Sequence, residues 1–366
     1  MSKNAALPAQ TPSAPTQALD QHGQEQLALL NAFIVTVHHF LGGFTRLCRP
    51  IHDPRHPIFT IYPLPAVCFA ALLMFLCRLG SRRQINHLFR GNGPSEAKFQ
   101  AVFGVETCPH GDTVNVLFSR LLPDQVQEVV CWIVETLIRK KVLDRYRLLG
   151  RYFTISIDGT GRLVFPKRHC PYCLTRTRNG KTTYYHPVLE AKLVTPNGFV
   201  FSIMTEFVEN PGENPTKQDC ELKAFYRLAA RLKKRFPRLP LCLLLDGLFA
   251  GGPTFALCEK YRWKYFVVLQ EDDLSSVHEE FEALLPLAPE NHLRFLTGVQ
   301  REIRQDFRWM NDISYVDSVN REHTIAVIEC LETRPDADRN PQTTRFKWIT
   351  NFNVKHNNVI TLANQR

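Results

Sequence analysis

The fold is decided by two stretches of sequence, 153-FTISIDGTG-161 and 241-LCLLLDGLFA-250. In each, an apolar run with the length and composition of a buried strand ends in an aspartate that is followed by glycine. Asp158 and Asp246 would be poor packing residues, because a buried unpaired carboxylate is costly. A carboxylate at the end of a strand can instead hold a hard cation at the edge of a sheet. Either aspartate alone would be interpreted as a turn or capping residue, but the pair predicts a metal site.

The composition favours a protein that handles nucleic acid. The formal net charge of +10 over 366 residues favours polyanionic partners, and the length leaves room for two or three domains. Eleven cysteines, an odd number, without a signal peptide predict reduced thiols in the cytoplasm and no disulfide framework. The uncharged stretch Ile61–Cys77 contains Pro63 and Pro65, which leave too short a helix to cross a bilayer. We therefore expect a buried helix there and no membrane association.

The hydrophobic pattern divides the chain into five regions. Residues 1–27 are rich in Ala, Pro, Gln, Ser and Thr and predict a disordered arm. Residues 28–150 have helical periodicity and predict a helical, DNA-binding region. Residues 151–270 alternate strands and helices, with a hairpin at the turn 196-PNG-198. Residues 271–350 predict a β-rich insertion, and residues 351–366 the approach to a further helix. The fold class is therefore α/β, with a mixed sheet covered by helices and preceded by a helical domain.

Four motifs together give the chain a family resemblance. They are SIDGTG, the segment HCPYCL…GKTTYYHPVLEAKLV, KQDCELKAF and LLLDGLFAGGPTFALC. Residues 150–366 resemble the DDE transposases of bacterial insertion sequences, which have a ribonuclease H-like catalytic domain with a β-rich insertion. The resemblance implies a nucleoid-associated enzyme that binds the terminal repeats of its element and the target DNA, as a homodimer on paired ends.

By that resemblance, Asp158 and Asp246 are the first two catalytic acids and hold Mg²⁺ or Mn²⁺. The implied chemistry is two-metal phosphoryl transfer, in which an element end is cut and then joined to target DNA. The third acid of the family is a glutamate on a helix after the insertion, and the sequence stops at Arg366, at the approach to that helix. We therefore expect a C-terminally truncated catalytic domain. Glu221, at the start of the helix after the hairpin, is a candidate substitute; the alternative is that it offsets the helix dipole. Glu329 and Glu332 are interpreted as ordinary strand-face charges.

A second constellation, Cys170-x-x-Cys173 followed by His186, has the spacing of a zinc site within the loop 165–186. The fourth ligand is left open between Cys220 and His169, which is awkwardly close to Cys170. Free cysteines in an extended loop are the alternative.

Basic residues and one aromatic residue are candidate DNA contacts. The candidate residues are Arg82, Arg83, Arg139, Lys140, Lys141 and Trp309. The basic side chains would contact phosphates, although solvated helix ends are the simpler interpretation of Arg139 to Lys141. Trp309 would stack on a flipped base, or else belong to the core. Two other functions stay open: a catalytically silent DNA-binding remnant, and an unrelated metal-dependent nuclease.

Overall fold

The computed structural model of the chain describes residues 21–91, 94–212, 216–299, 302–336 and 340–365. The described chain forms a mixed α/β structure that divides into two compact units at Val129/Val130. No helix in these ranges is long and apolar enough to cross a membrane.

The first unit is helical. Its helices are α1 (Gln21–Leu41), α2 (Phe44–Leu47), α3 (Leu64–Leu76), α4 (Arg82–Phe89), α5 (Pro94–Phe103), α6 (Gly111–Phe118) and the first part of α7 (Pro123–Arg139). Helix α3 is the predicted buried helix, and most of its side chains lie in the core of this unit. Its Phe69 packs against the rings of Phe44, Phe99 and Phe103 at centroid distances of 5.0–5.8 Å. Such aromatic pairs bury large apolar areas, which explains how short helices without a sheet hold together.

The second unit is built around one mixed sheet, in which the described residues form ten strands. The strands are β1 (Phe153–Phe165), β2 (Leu174–Arg178), β3 (Lys181–Val194), β4 (Val200–Phe207), β5 (Leu241–Leu245), β6 (Lys264–Val268), β7 (His292–Thr297), β8 (Ile303–Val316), β9 (Glu322–Pro335) and β10 (Pro341–Thr350). Helices α8 (Glu221–Arg235) and α9 (Gly252–Tyr261) connect β4 to β5 and β5 to β6, α10 (Ser275–Leu284) follows β6, and α11 (Val359–Ala363) follows β10.

The strand order is β2-β3-β1-β5-β6-β10-β9-β8-β7. Strands β1, β5 and β6 are parallel, and every other pairing is antiparallel. Strand β3 is long enough to pair with β4 over one half and with β2 over the other. The core of the sheet therefore reads β4-β3-β1-β5-β6, an antiparallel meander beside two parallel crossover strands.

Several predicted elements are present and some boundaries were wrong. The hairpin around 196–198 is β3–β4, and the predicted helix–strand alternation after it is α8-β5-α9-β6. The predicted arm ended too late, because residues 21–27 already belong to α1; residues 1–20 lie outside the described residues. Strand β1 does not end at Asp158. It continues to Phe165 through a register shift between Thr160 and Leu163, because β3 pairs with it beyond the end of β5.

The predicted β-rich insertion is present, but it is not a separate module. Its last strand, β10, pairs with β6, so β7–β10 continue the sheet of the core. Glu329 and Glu332 were wrongly interpreted as ordinary strand-face charges, because both are buried. Glu329 forms ion pairs with Arg308, Arg345 and Lys347, which make this carboxylate tolerable in the interior.

Candidate active site and a histidine–cysteine cluster

Asp158 and Asp246 lie at matching positions of two adjacent parallel strands. The paired residues of β1 and β5, from Phe153↔Leu241 to Ser156↔Leu244, differ by 88 positions, and so do the aspartates, since 246 − 158 = 88. Both aspartates come two positions after the last pair. Asp246 is the residue after β5, and it is close enough to Asp158 for the two charges to interact, so both carboxylates belong to one surface at the end of the parallel strands. Both residues are exposed there.

The two carboxylates influence one another, and a third joins them. Burial raises the pKa of Asp246, and the negative charges of Asp158 and Asp273 raise it further. The backbone N–H of Leu248 opposes this rise, since it donates to Asp246 Oδ1 at 3.1 Å and thereby caps a short 3₁₀ helix. Asp246 is therefore both a capping residue and a member of an acidic cluster.

Each Asp-Gly pair has a glycine because another carboxylate packs on it. A Cβ added at Gly159 would lie 2.7 Å from Glu221 Oε1, and a Cβ added at Gly247 would lie 2.9 Å from Asp273 Oδ2. Only a residue without a side chain allows so close an approach. The site therefore combines four acidic residues, two from strands and two that reach over the adjacent glycines.

Glu221 was predicted as a candidate, whereas Asp273 was not. Asp273 lies in the run 271-EDD-273 just after β6, the third parallel strand of the core. The sequence did contain a signal for Asp273, because this residue follows β6, which is parallel to β1 and β5. The ends of parallel strands meet at one edge of a sheet, where Asp158 and Asp246 also lie.

The chemistry of these donors fits hard divalent cations. Carboxylate oxygens are the preferred ligands of Mg²⁺, and the pKa of Asp246 is raised first by burial and then by neighbouring negative charge that a cation would offset. Three or more of these oxygens do not lie within 4.8 Å of one another among the described residues. The surface is therefore an acidic cluster with room between its carboxylates.

A tight cluster of histidine and cysteine side chains lies in the loop between β1 and β2 and on the facing part of β3. The ligand atoms of His169, Cys170, Cys173 and His186 all lie within 4.8 Å of one another. His186 is on β3 opposite Leu163 of β1, and the other three residues lie in the loop between β1 and β2. The structure thus brings together the three predicted ligands, and His169 occupies the fourth position.

The local environment favours the ligand forms of His186 and Cys173, whereas burial and the neighbouring Cys173 raise the pKa of the Cys170 thiol. Burial and the neighbouring His169 lower the pKa of His186, which favours the neutral imidazole. Burial acts to raise the pKa of Cys173, but hydrogen bonds from the backbone of His169 and Cys170 bring it below its ordinary value. Cys220 does not belong to the cluster: it is exposed at the N-terminal cap of α8.

The predicted basic DNA contacts are exposed. Arg82 and Arg83 occupy the first turn of α4 in the first unit. Residues 139–141 lie at the C-terminal end of α7 in the second unit, where Arg139 also donates to Thr136 Oγ1 at 3.1 Å. Exposure is compatible with phosphate contacts, which stay a prediction for these residues.

The predicted base-stacking role of Trp309 was wrong. Its side chain is fully buried on β8 and packs edge-on against His356, at a centroid distance of 4.9 Å. A ring with no exposed surface is not accessible to a nucleotide, so Trp309 is a core residue.

Neither a scan against models of protein families nor a search of curated proteins finds a match to this chain.

Proposed function

We propose that this protein is a DDE-type DNA transposase with a ribonuclease H-like catalytic sheet, which cuts and joins the ends of an insertion sequence. The observation that carries the proposal is that Asp158 and Asp246 follow the last pair of two adjacent parallel strands by the same two positions. The strand order β4-β3-β1-β5-β6, with β1, β5 and β6 parallel, supports it, since a ribonuclease H-like sheet has this arrangement.

The acidic cluster suits a metal-dependent phosphoryl transfer. Asp158 and Asp246 would hold Mg²⁺ or Mn²⁺, and Glu221 and Asp273 add charge at the adjacent glycines. Bound in pairs, such ions activate a water or 3′-hydroxyl and stabilise the leaving oxygen. Glu221 begins α8, where ribonuclease H enzymes carry an acidic residue, and this supports its role as a further metal ligand.

The overall charge suits DNA as the substrate. The chain has 45 basic and 35 acidic residues, and its acidic cluster needs cations before a phosphodiester can approach. Arg82, Arg83, Arg139, Lys140 and Lys141 are the proposed phosphate contacts. Two subunits would act together on paired ends.

The test uses purified protein, Mg²⁺ and labelled DNA that carries the repeats flanking the coding sequence. We expect cleavage followed by strand transfer. Asp158→Asn and Asp246→Asn should each lower cleavage at least about 100-fold while DNA binding persists. Asp312→Asn is the matched control, because this exposed aspartate has a φ of 58°, a conformation that asparagine tolerates.

Three results would overturn the proposal. Cleavage that persists in both aspartate variants excludes the assigned acids. Cleavage without joined products indicates a simple nuclease, and binding without any cleavage indicates a DNA-binding remnant.

A further inference from the structure

The histidine–cysteine cluster has the dimensions of a tetrahedral metal site. Cys170 Sγ and Cys173 Sγ are 3.5 Å apart, and His186 Nε2 lies 3.2 and 3.3 Å from them. His169 Nδ1 lies 3.4 Å from Cys173 Sγ. Four such ligands around one zinc ion, with bonds of about 2.0–2.3 Å, would stand about 3.3–3.8 Å apart. The four observed separations of 3.2–3.5 Å are close to these values, so the side chains already lie near the arrangement they would have around an ion.

We propose that His169, Cys170, Cys173 and His186 bind one structural Zn²⁺. Two thiolates and two imidazoles form a soft ligand set that selects zinc over the hard cations suited to the acidic cluster. All four positions are supplied by the chain, which is typical of a closed structural site and not of a catalytic one.

The same Cys-x-x-Cys spacing also occurs in redox-active dithiols. Such dithiols usually have a thiolate stabilised at the N-terminus of a helix. Here the loop from His169 to Cys173 leads into strand β2, and two imidazole rings converge on the sulfur atoms. These contacts favour a metal site over a redox pair.

The loop between β1 and β2, which carries His169, Cys170 and Cys173, is hydrogen-bonded to the segment that leads into α8. Asn210 is buried, and its side-chain Nδ2 donates to the carbonyl oxygen of Cys173 at 2.9 Å. Its backbone N–H donates to the carbonyl oxygen of Tyr172 at 3.1 Å. Its Oδ1 accepts from the backbone of Asp219 at 3.2 Å. An ion that fixes the backbone around Cys173 therefore also fixes Asn210 and, through it, the residues just before Glu221.

A second link runs through Gln218. Its amide group bonds both backbone atoms of Thr175 on β2, accepting from the N–H at 2.6 Å and donating to the carbonyl at 3.1 Å. Zinc binding thus holds the beginning of α8, from which Glu221 reaches Gly159 beside Asp158. The effect on catalysis rests on the proposed function; zinc binding itself does not.

The test measures metal in the purified full chain by mass spectrometry, without any assay of activity. We expect about one zinc per chain in the wild type and in Cys220→Ser, the control that removes an exposed cysteine outside the cluster. Cys173→Ser and His186→Ala should each bind less than about one fifth of that. Co²⁺ in place of zinc should give the strong visible absorption of a tetrahedral site with thiolate ligands.

Amide hydrogen exchange would test whether zinc binding stabilises the beginning of α8 through Asn210 and Gln218. After chelation, residues 224–227, the first amides of α8 with intrahelical acceptors, should exchange faster, while the equivalent residues 255–258 of α9 should not change. Less than about half an equivalent of zinc in wild type would overturn the site, as would full zinc in His186→Ala. A Cys170–Cys173 disulfide without metal would show a redox pair instead. If a ligand variant fails to fold, the wild-type metal content and cobalt spectrum still decide.

Discussion

Asp158 and Asp246 each come two positions after the last parallel pair of β1 and β5, and each is followed by a glycine on which another carboxylate packs. The repetition of this arrangement on neighbouring strands explains why the Asp-Gly dipeptide occurs twice. The aspartate supplies a charge, and the glycine leaves room for Glu221 on one strand and for Asp273 on the other. Four carboxylates thereby reach one surface without any of them being deeply buried.

Gly159→Ala should destabilise the protein through its contact with Glu221. The added Cβ would lie 2.7 Å from a carboxylate oxygen at the far end of the flexible Glu221 side chain, which can move aside, so we expect a cost of only about 0.5–1 kcal/mol. Urea unfolding of Gly159→Ala, Glu221→Ala and the double variant measures the coupling between the two sites, which we expect at about 0.5–3 kcal/mol.

Gly251→Ala is the control for that series. Its Cβ would lie 3.8 Å from Pro253 Cδ, an ordinary van der Waals contact, so the change should stay within about 0.5 kcal/mol. If Gly159→Ala and Glu221→Ala are strictly additive, the proposed contact does not exist in solution.

Asp246→Asn should stabilise the metal-free protein at neutral pH. Asp246 has a folded-state pKa above its ordinary value of 3.8, so folding is favoured by protonation of Asp246. The stability contributed by Asp246 is present below pH 3.8 and is lost as the pH rises through the raised pKa. Asparagine removes this loss and keeps an oxygen for the Leu248 N–H. Because Asp246 is exposed, the gain should stay below about 1 kcal/mol.

Urea titrations between pH 4 and 8 in chelator would measure this effect, with Asp312→Asn as the control. The stabilities of wild type and Asp246→Asn should converge toward pH 4. Mg²⁺ should then stabilise the wild type more than the variant, because a ligand stabilises only the state that binds it. If Asp246→Asn is less stable than wild type at every pH, the negative charge of Asp246 does not destabilise the folded protein and its pKa is not raised.

Trp309→Phe should lower stability and leave DNA binding unchanged. The side chain is fully buried, and loss of part of its volume should cost on the order of 1–3 kcal/mol. Thermal unfolding and DNA affinity at a temperature where the variant is folded would measure the two effects. Phe199→Leu is the control, because that ring is 54% exposed and its loss should cost little. A weaker affinity with unchanged stability would restore the stacking role.

Arg82→Gln combined with Arg83→Gln should weaken DNA binding without destabilising the fold. Each lost phosphate contact should reduce the slope of log K against log salt by about 0.9. Positive charges at the first turn of α4 oppose the helix dipole, so their removal should leave stability equal or slightly higher. The control is Arg120→Gln with Lys355→Gln, an equal loss of exposed charge outside the predicted contacts. Equal losses of affinity in both double variants would show a general charge effect.

Much of the core could be predicted from local sequence because its signals are local. The turn 196–198 has its glycine at a φ of 84°, and the apolar runs of β5 and β6 are short and continuous. The two Asp-Gly dipeptides were found from local sequence, but the parallel register of β1 and β5 that brings them to one edge was not predicted.

The remaining features depend on tertiary contacts. Asp273 looks like any charge in an acidic loop until its approach to Gly247 is known. His169 appeared too close to Cys170, but the loop turns both side chains toward His186. Strand β2, with the sequence LTRTR, has little apolar character. It forms because β3 pairs with it along its whole length.

The pairing of β6 with β10 has a consequence for biosynthesis. Phe266 pairs with Thr350, and the two are separated by 84 residues, since 350 − 266 = 84. At about 5–20 residues per second, a ribosome needs roughly 4–17 seconds to supply the missing neighbour. During that interval the apolar strand β6 has one unpaired edge, a template for pairing with other nascent chains. The edge of β6 that faces β10 in the folded protein is therefore open to wrong pairing until β10 has emerged.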